Sequence, residues 1–162
     1  MDRLGVQKGA RALEPSAGTG NMVLHLLECG ARVDAVEIDP DRCAMLRGLH
    51  ASALRVIERN FLTMPAEPVY SAILMNPPFF GTHWMEHVVH AYDFLAPGGT
   101  LVAVLPISAD FGDSKKHNTF RAWAKERAGR HYGSLFEDLP QESFAASGTR
   151  ISTVLLVLRR NR

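Results

Sequence analysis

The sequence predicts an α/β fold: a seven-stranded, mostly parallel sheet with helices on both faces and an antiparallel edge strand. Three observations carry this expectation. Short apolar runs alternate with amphipathic stretches along most of the 162 residues, as parallel strands joined by helical crossovers require. A glycine-containing stretch, EPSAGTG (14–20), links the first apolar run to the first amphipathic segment. The last two apolar runs have no helix between them, so they are expected to pair antiparallel at one edge.

In chain order, ARALE (10–14) is the first strand. NMVLHLLECG (21–30) is the first helix, ended by Gly30 in the left-handed conformation that glycine adopts without strain. RVDAVEI (32–38) is the second strand. DPDRCAMLRGL (39–49) opens the second helix with Asp39 as N-cap and Pro40 at the first helical position, where a missing N–H leaves nothing unpaired. LRVIE (54–58) and VYSAILM (69–75) are the third and fourth strands. HWMEHVVHAYDFL (83–95) is a helix with Trp84, Val88, Ala91 and Leu95 on one face, closed by PGG (97–99). TLVAVLP (100–106) is the fifth strand. SADFGDSKKHN (108–118) reads as a mobile loop, with Lys115 and Lys116 able to touch phosphates. Ser114 caps a helix through Ala128 that turns Phe120, Trp123 and Ala124 inward and ends at Gly129. YGSLFE (132–137) and ISTVLLVL (151–158) complete the set.

The length predicts one domain over residues 1–162, able to bury about 70% of its unfolded surface. Hydrophobic content of 46% beside 22% charge fits a soluble globular protein, and a formal net charge of +1 gives no overall pull toward nucleic acid. RRNR at the C-terminus reads as a solvated tail. Cys29 and Cys43 lack the spacing of a metal site or disulfide frame. There is no secretory signal pattern after Met1 and no apolar run of roughly 18 residues. No membrane association is expected, and the expected location is a reducing cytoplasm.

Ligands of such sheets bind outside the carboxyl ends of the strands, and several notable stretches stand there. In EPSAGTG, small residues let backbone approach a ligand, and the following helix offers unpaired N–H groups. The third glycine of a dinucleotide fingerprint is absent, since Val23 stands in its place. Glu37, 19 residues after Gly18, ends the second strand where a carboxylate can take both hydroxyls of a ribose. A nucleoside-bearing cofactor without a pyrophosphate suits these parts equally well. In NFL (60–62), Asn60 can meet an adenine amino group while Phe61 covers the ring. Finally, AILMNPPFFG (72–81) ends a buried strand on Asn76, two prolines and two aromatic rings.

Taken in order, EPSAGTG, VEIDP, NFL and NPPF resemble the class I S-adenosylmethionine-dependent methyltransferases. More narrowly, they resemble the amino-methylating DNA enzymes that make N6-methyladenine, over residues 10–158. The resemblance implies a Rossmann-like fold, S-adenosyl-L-methionine as cofactor, no metal, and DNA as the nucleic-acid partner. It implies that Glu14, Ser16, Ala17, Gly18 and Gly20 shape the pocket for the methionine part of the cofactor. Glu37 would bind the ribose hydroxyls, Ile38 would pack on the adenine, and Asn60 and Phe61 would border it. The family more often has Asp where Asn60 stands; Asn keeps the acceptor oxygen.

Asn76, Pro77, Pro78 and Phe79 would form the catalytic segment. An exocyclic amine is a poor nucleophile because its lone pair is delocalised into the ring. The Asn76 side-chain oxygen and the Pro77 carbonyl can each accept one N–H and draw the nitrogen toward a tetrahedral form. The prolines fix φ and remove competing donors. Phe79 would offer a face to a base that has left its helix, with Phe144 in LPQESFAASGTRISTVLLVL (139–158) on the base's other side. Phe80 reads either as an exposed ring or as core.

Only about nine residues precede the first strand, and nothing after Leu158 resembles a target-recognition domain. The expectation is therefore a fragment, a minimal enzyme, or one subunit beside a separate specificity partner. His83, His87 and His90 share one helix face at a spacing that can bind metal, but no acid-rich or cysteine partner accompanies them. A polar face near the substrate mouth is expected. The rival readings are a ribosomal-RNA guanine-N2 methyltransferase, a protein-glutamine methyltransferase, a non-catalytic module of the same fold, and a nicotinamide oxidoreductase.

Overall fold

A computed structural model of the chain describes residues 5–128, 134–139 and 152–162. Phe144 and the expected helix end at Gly129 lie outside the described residues. The strands are β1 (Arg11–Glu14), β2 (Arg32–Glu37), β3 (Leu54–Glu58), β4 (Tyr70–Met75), β5 (Leu95–Pro106), β6 (Phe136–Asp138) and β7 (Thr153–Arg159). They form one sheet in the order β3-β2-β1-β4-β5-β7-β6. The first five pair in parallel, while β7 lies antiparallel to both β5 and β6. The expected antiparallel pairing is thus present at that edge, with the reversed strand inserted just inside it. Chain order reverses at β1 and β4, which are neighbours, and the crevice outside their carboxyl ends is where such sheets take ligands.

Strand residues alternate between two apolar layers. Ala12, Val33, Ala35, Ala72 and Leu74 face the layer that holds Val23 and Leu26 of α1 (Asn21–Glu28) and Leu46 of α2 (Pro40–Arg47). Leu13, Ile73, Met75, Leu101 and Ala103 face the other. That layer holds Trp84, Val88 and Ala91 of α3 (His83–Asp93), Ala109 of α4 (Ser108–Phe111), and Phe120 and Ala124 of α5 (Lys115–Arg127). Helices therefore cover both faces, as expected. Among the described residues no helix is long and apolar enough to cross a membrane.

Local chemistry sets most helix boundaries where the sequence puts them. Gly30 has φ +79°, and the N–H groups of Gly30 and Ala31 reach back to the carbonyls of Leu27 and Leu26 at 2.9 and 3.1 Å. The Asp39 carboxylate accepts the N–H groups of Asp41 and Arg42 at 2.9 and 3.0 Å, ahead of Pro40. The Ser114 hydroxyl accepts the N–H of His117.

Two boundaries differ from expectation. PGG (97–99) does not close α3, because β5 begins at Leu95, already paired with Tyr70. The register then jumps, so that Ala72 pairs with Thr100 and the glycines bulge within the strand. Gly99 fits there because a Cβ would lie 2.9 Å from the carbonyl oxygens of Ala96 and Tyr70. The stretch expected to be a mobile loop opens with α4, which Arg121 of α5 holds by donating to the carbonyls of Ala109 and Asp110, each at 3.1 Å.

Between β3 and β4 there is only a single 3-10 turn, Phe61–Thr63. Polar groups occupy the adjoining sheet face toward its amino end. Asp34 accepts hydrogen bonds from Arg11, Arg55 and the Tyr70 hydroxyl. Burial opposes ionisation of Asp34, but the hydrogen bonds from Arg55, Tyr70 and Arg11 outweigh it and hold its carboxyl below the usual range. The same carboxylate, after burial, helps push the Tyr70 phenol up to about 12.

Candidate active site

A cavity of about 410 Å³ opens at the carboxyl ends of β1, β2, β3 and β4. Its wall comes from four consecutive strand-end loops. The loop after β1 supplies Glu14, Ser16, Ala17 and Gly18; the end of β2 supplies Glu37 and Ile38. The turn after β3 supplies Asn60 and Phe61, and the segment after β4 supplies Asn76 and Pro78. Fourteen or more residues of sequence separate each group from the next, and the parallel sheet sets them side by side.

Glu37 organises the first two loops. One of its oxygens accepts the N–H of Gly18 at 2.7 Å, and the other accepts those of Ile38 and Asp39, each at 2.9 Å. A carboxylate offers about four acceptor positions, so three backbone bonds leave room for roughly one ribose hydroxyl. Glu37 thus stands at the cavity wall, where the ribose was expected, with three backbone donors already on its carboxylate. Its first task is to tie the glycine loop to the end of β2. Ile38 stands beside it with 64% of its surface in solvent, an apolar wall open to a planar ring.

Gly18 and Gly20 have φ of +53° and +93°, where other residues are strained. Gly20 does not line the cavity. A Cβ there would sit 2.8 Å from the Leu46 side chain, so this glycine lets α1 approach α2.

Glu14 is buried, and burial, opposed by the N–H of Ser16 and aided by the charge of Glu37, pushes its carboxyl up to about 8. It is mostly protonated at neutral pH. The Ser16 hydroxyl lies 3.3 Å from Nδ1 of His87. His87 projects from α3 into the cavity wall, and burial, with neighbouring His83, pushes its imidazole below the usual range. Sequence reasoning placed His87 on a polar face without giving it a part in the cavity. Arg42 and Arg59 also line the wall and carried no motif signal. Among the described residues, no group of three histidine, cysteine or acidic side chains is placed to hold a metal.

The remaining expected residues divide. The Asn60 amide oxygen accepts the N–H of Leu62 at 3.0 Å, so it caps the 3-10 turn as well as bordering the cavity. Phe61 is buried against His90 and Phe94 and also lines the cavity. Pro77 is buried, Phe79 is half-buried, and neither lines the cavity. Phe80 is the ring in solvent, 81% exposed. The Asn76 Oδ1 is buried and has no hydrogen-bond partner. A buried acceptor without a donor costs about 1–3 kcal/mol, and Asn76 is one of the residues lining the cavity.

No model of a known protein family matches the chain. Two curated proteins match part of it. Ribosomal RNA small subunit methyltransferase A of Synechococcus sp. strain JA-2-3B'a(2-13) is 39% identical over 69 residues, covering 41% of this chain and 24% of that protein. Its counterpart in strain JA-3-3Ab is 38% identical over 72 residues, covering 43% and 26%. The chain thus spans about a quarter of the length of these relatives.

Solved structures match nearly its whole length. Geranyl diphosphate methyltransferase in complex with S-adenosylmethionine superposes with a TM-score of 0.65 at 18% identity, over 98% of this chain and 82% of that one. A SAM-dependent O-methyltransferase from Thermotoga maritima gives 0.65 at 14%, over 98% and 62%. Burkholderia thailandensis 1,6-didemethyltoxoflavin-N1-methyltransferase, with S-adenosylhomocysteine bound, gives 0.62 at 14%, over 96% and 72%. The chain has the Rossmann-like fold of the class I S-adenosylmethionine-dependent methyltransferases.

Proposed function

We propose that this chain transfers a methyl group from S-adenosyl-L-methionine to the exocyclic amine of adenine in a nucleic acid, with N6 of DNA adenine as the first substrate. The observation that carries the proposal is the buried, partnerless Oδ1 of Asn76 at the cavity wall. An acceptor in that state suits an N–H donor. An exocyclic amine becomes more nucleophilic when such an acceptor draws on its hydrogens.

The residues present fit the cofactor. Glu37 keeps about one acceptor position for a ribose hydroxyl, exposed Ile38 offers an apolar face to the adenine, and the loop from Glu14 to Gly18 borders the space for the methionine part. When bound, the cofactor supplies a methyl group on a positively charged sulfur, already electrophilic. The chain's contribution is placement and acceptance of hydrogen bonds. Asn76 Oδ1 takes one amine N–H and orients the amine's lone pair. Pro77 and Pro78 stiffen the turn that carries it and donate no competing N–H. The weakly basic His87 remains neutral beside Ser16. Residual positive charge on the methylated amine leaves as a proton to solvent, so no strong base is required.

DNA as the polymer is supported by the resemblance of NPPF and its neighbours to the N6-adenine enzymes. RNA is the second reading, supported by the name of the curated relatives, which are ribosomal-RNA methyltransferases. Two free thiols, Cys29 and Cys43, suit a reducing cytoplasm.

The test is methyl transfer from labelled S-adenosylmethionine to unmodified DNA and to ribosomal RNA, with products digested and identified by mass. N6-methyladenine from DNA, lost in Asn76→Ala, is the expected outcome. Label in RNA alone establishes the second reading, and label in neither sinks the proposal.

A further inference from the structure

The two most solvent-exposed large apolar side chains among the described residues are Phe80 at 81% and Phe111 at 74%. Scattered surface apolar groups are ordinary, but these two follow the ends of neighbouring strands. Phe80 follows the end of β4, four residues after Asn76, and Phe111 ends α4, which begins two residues after the end of β5. Since β4 and β5 are neighbours, both rings belong to the carboxyl edge on the side of the cavity away from Ile38 and Glu37.

Both rings sit on braced backbone. The carbonyl of Phe80 accepts the N–H of His83 at 3.2 Å, and the His83 ring lies 5.8 Å from that of Phe80. Lys116 at the start of α5 reaches the Thr82 hydroxyl at 3.5 Å, linking that loop to the second segment. Phe111 is set by Arg121, which holds the carbonyls of Ala109 and Asp110, and by Gly112, whose N–H returns to Ser108 at 2.8 Å. Gly112 has no room for a side chain, because a Cβ would run into the His117 ring. The fold therefore holds the backbone that carries both exposed rings.

Exposed Asp113, Lys115 and Lys116 follow Phe111 closely along the chain, and Lys116 reaches the loop of Phe80 through Thr82. The local charge is close to balanced, so the rings and not the charge define the surface. Aromatic faces on a fixed frame, with one or two cations, suit bases of an unpaired strand, which stack on any π-face while lysines meet the phosphates. Duplex DNA keeps its bases stacked on each other and offers such rings little.

We propose that Phe80 and Phe111 form a stacking platform for unpaired nucleotides flanking the target base, so that this surface recognises a single-stranded or locally opened segment. The inference rests on the nucleic-acid reading above and deepens it. The platform does not perform the transfer; it positions the strand.

The test uses the full chain with S-adenosylhomocysteine present. Fluorescence anisotropy measures binding of a labelled mixed-sequence single-stranded DNA, its RNA counterpart and the DNA duplex. Single strands are expected to bind more tightly than duplex. The Phe80→Ala/Phe111→Ala double variant should lose about 25-fold on single strands, at roughly fivefold per stacked base, and the Phe80→Trp/Phe111→Trp variant should restore binding. Lys115→Ala/Lys116→Ala should flatten the dependence of log affinity on log salt by about 1.4, at roughly 0.7 per phosphate.

Equal binding of duplex and single strand, or a double alanine variant within twofold of wild type, overturns the inference while leaving methyl transfer standing. A wild-type dimer in sedimentation that the double variant dissociates also overturns it, since the rings would then serve a second copy of the chain. Failure of the underlying reading looks different: wild type then transfers no methyl group to DNA or RNA.

Discussion

The loops after β1, β2 and β3 differ from those after β4 and β5 in how completely they satisfy themselves. On the first side Glu37 accepts three backbone N–H groups, Asp39 accepts two, and Asn60 accepts one. Polar side chains there close the loops on each other before any ligand arrives. On the second side Asn76 Oδ1 is buried without a partner, and Phe80 and Phe111 stand in solvent. On the function proposed above, the difference separates a half that would seat one constant ligand from a half that a substrate would complete. Self-satisfied loops hold a fixed shape, as a cofactor seat needs. Unsatisfied groups carry a standing cost that a substrate's donors and rings remove.

Asn76→Ala tests this division with the largest expected effect. kcat should fall by about 10²–10³, the usual loss of one preorganised polar contact at the reacting group, while the dissociation constant for S-adenosylhomocysteine by calorimetry stays within twofold. Loss of cofactor affinity along with turnover would break the comparison. Glu37→Ala should do the reverse. Three N–H groups lose their acceptor, and solvent replaces it only in part, so stability should drop by about 2–3 kcal/mol, read from urea midpoints. Cofactor affinity should fall with it. Next in size, Gly20→Ala places a Cβ at φ +93° and 2.8 Å from Leu46. The left-handed strain alone costs about 1–2 kcal/mol, visible as a lower Tm with Asn76 chemistry intact.

The smallest effect concerns Glu14, whose carboxyl is held up at about 8. A cationic ligand group near it favours the ionised form, so binding releases a proton and cofactor affinity rises with pH up to about 8. Between pH 7 and 8 the gain is about fivefold, it levels off above, and it vanishes in Glu14→Gln. Calorimetry in buffers of different ionisation enthalpy measures the released proton. In the ligand-free chain the same acid acts on stability. Its folded pKa lies above the ordinary 4.5, so its contribution is fully present below about 4.5 and lost as pH rises to about 8, because the unfolded chain ionises first.

Much of this was legible in the sequence because it depends on local chemistry. Gly30, Asp39, Pro40 and Ser114 set their helix ends through backbone conformation and bonds within a few residues. The period of apolar residues placed five strands and their helices in order, and parallel pairing then followed from the crossovers. The glycine loop, Glu37 and the NPPF segment were recognisable as a group through their resemblance to a known family. What the sequence left open depends on neighbours distant along the chain. PGG reads as a helix stop until the carbonyls of Tyr70 and Ala96 show that only glycine fits the bulge.

The sequence by itself determined the alternation of elements and the helices on both faces of the sheet, since these follow from periodicity and residue type, while its motifs suggested the chemistry at the strand ends by resemblance. Only the tertiary structure decided how each side chain is employed. It set Glu37 to bind its own loops, turned Phe61 into the core and left Phe80 outside it, brought His87 to Ser16, and buried Asn76 Oδ1 without a donor. The physical reason is that hydrogen bonding and burial are shared between partners. An acceptor's free capacity, or a ring's free face, is what remains after every neighbour in the folded chain has taken its part.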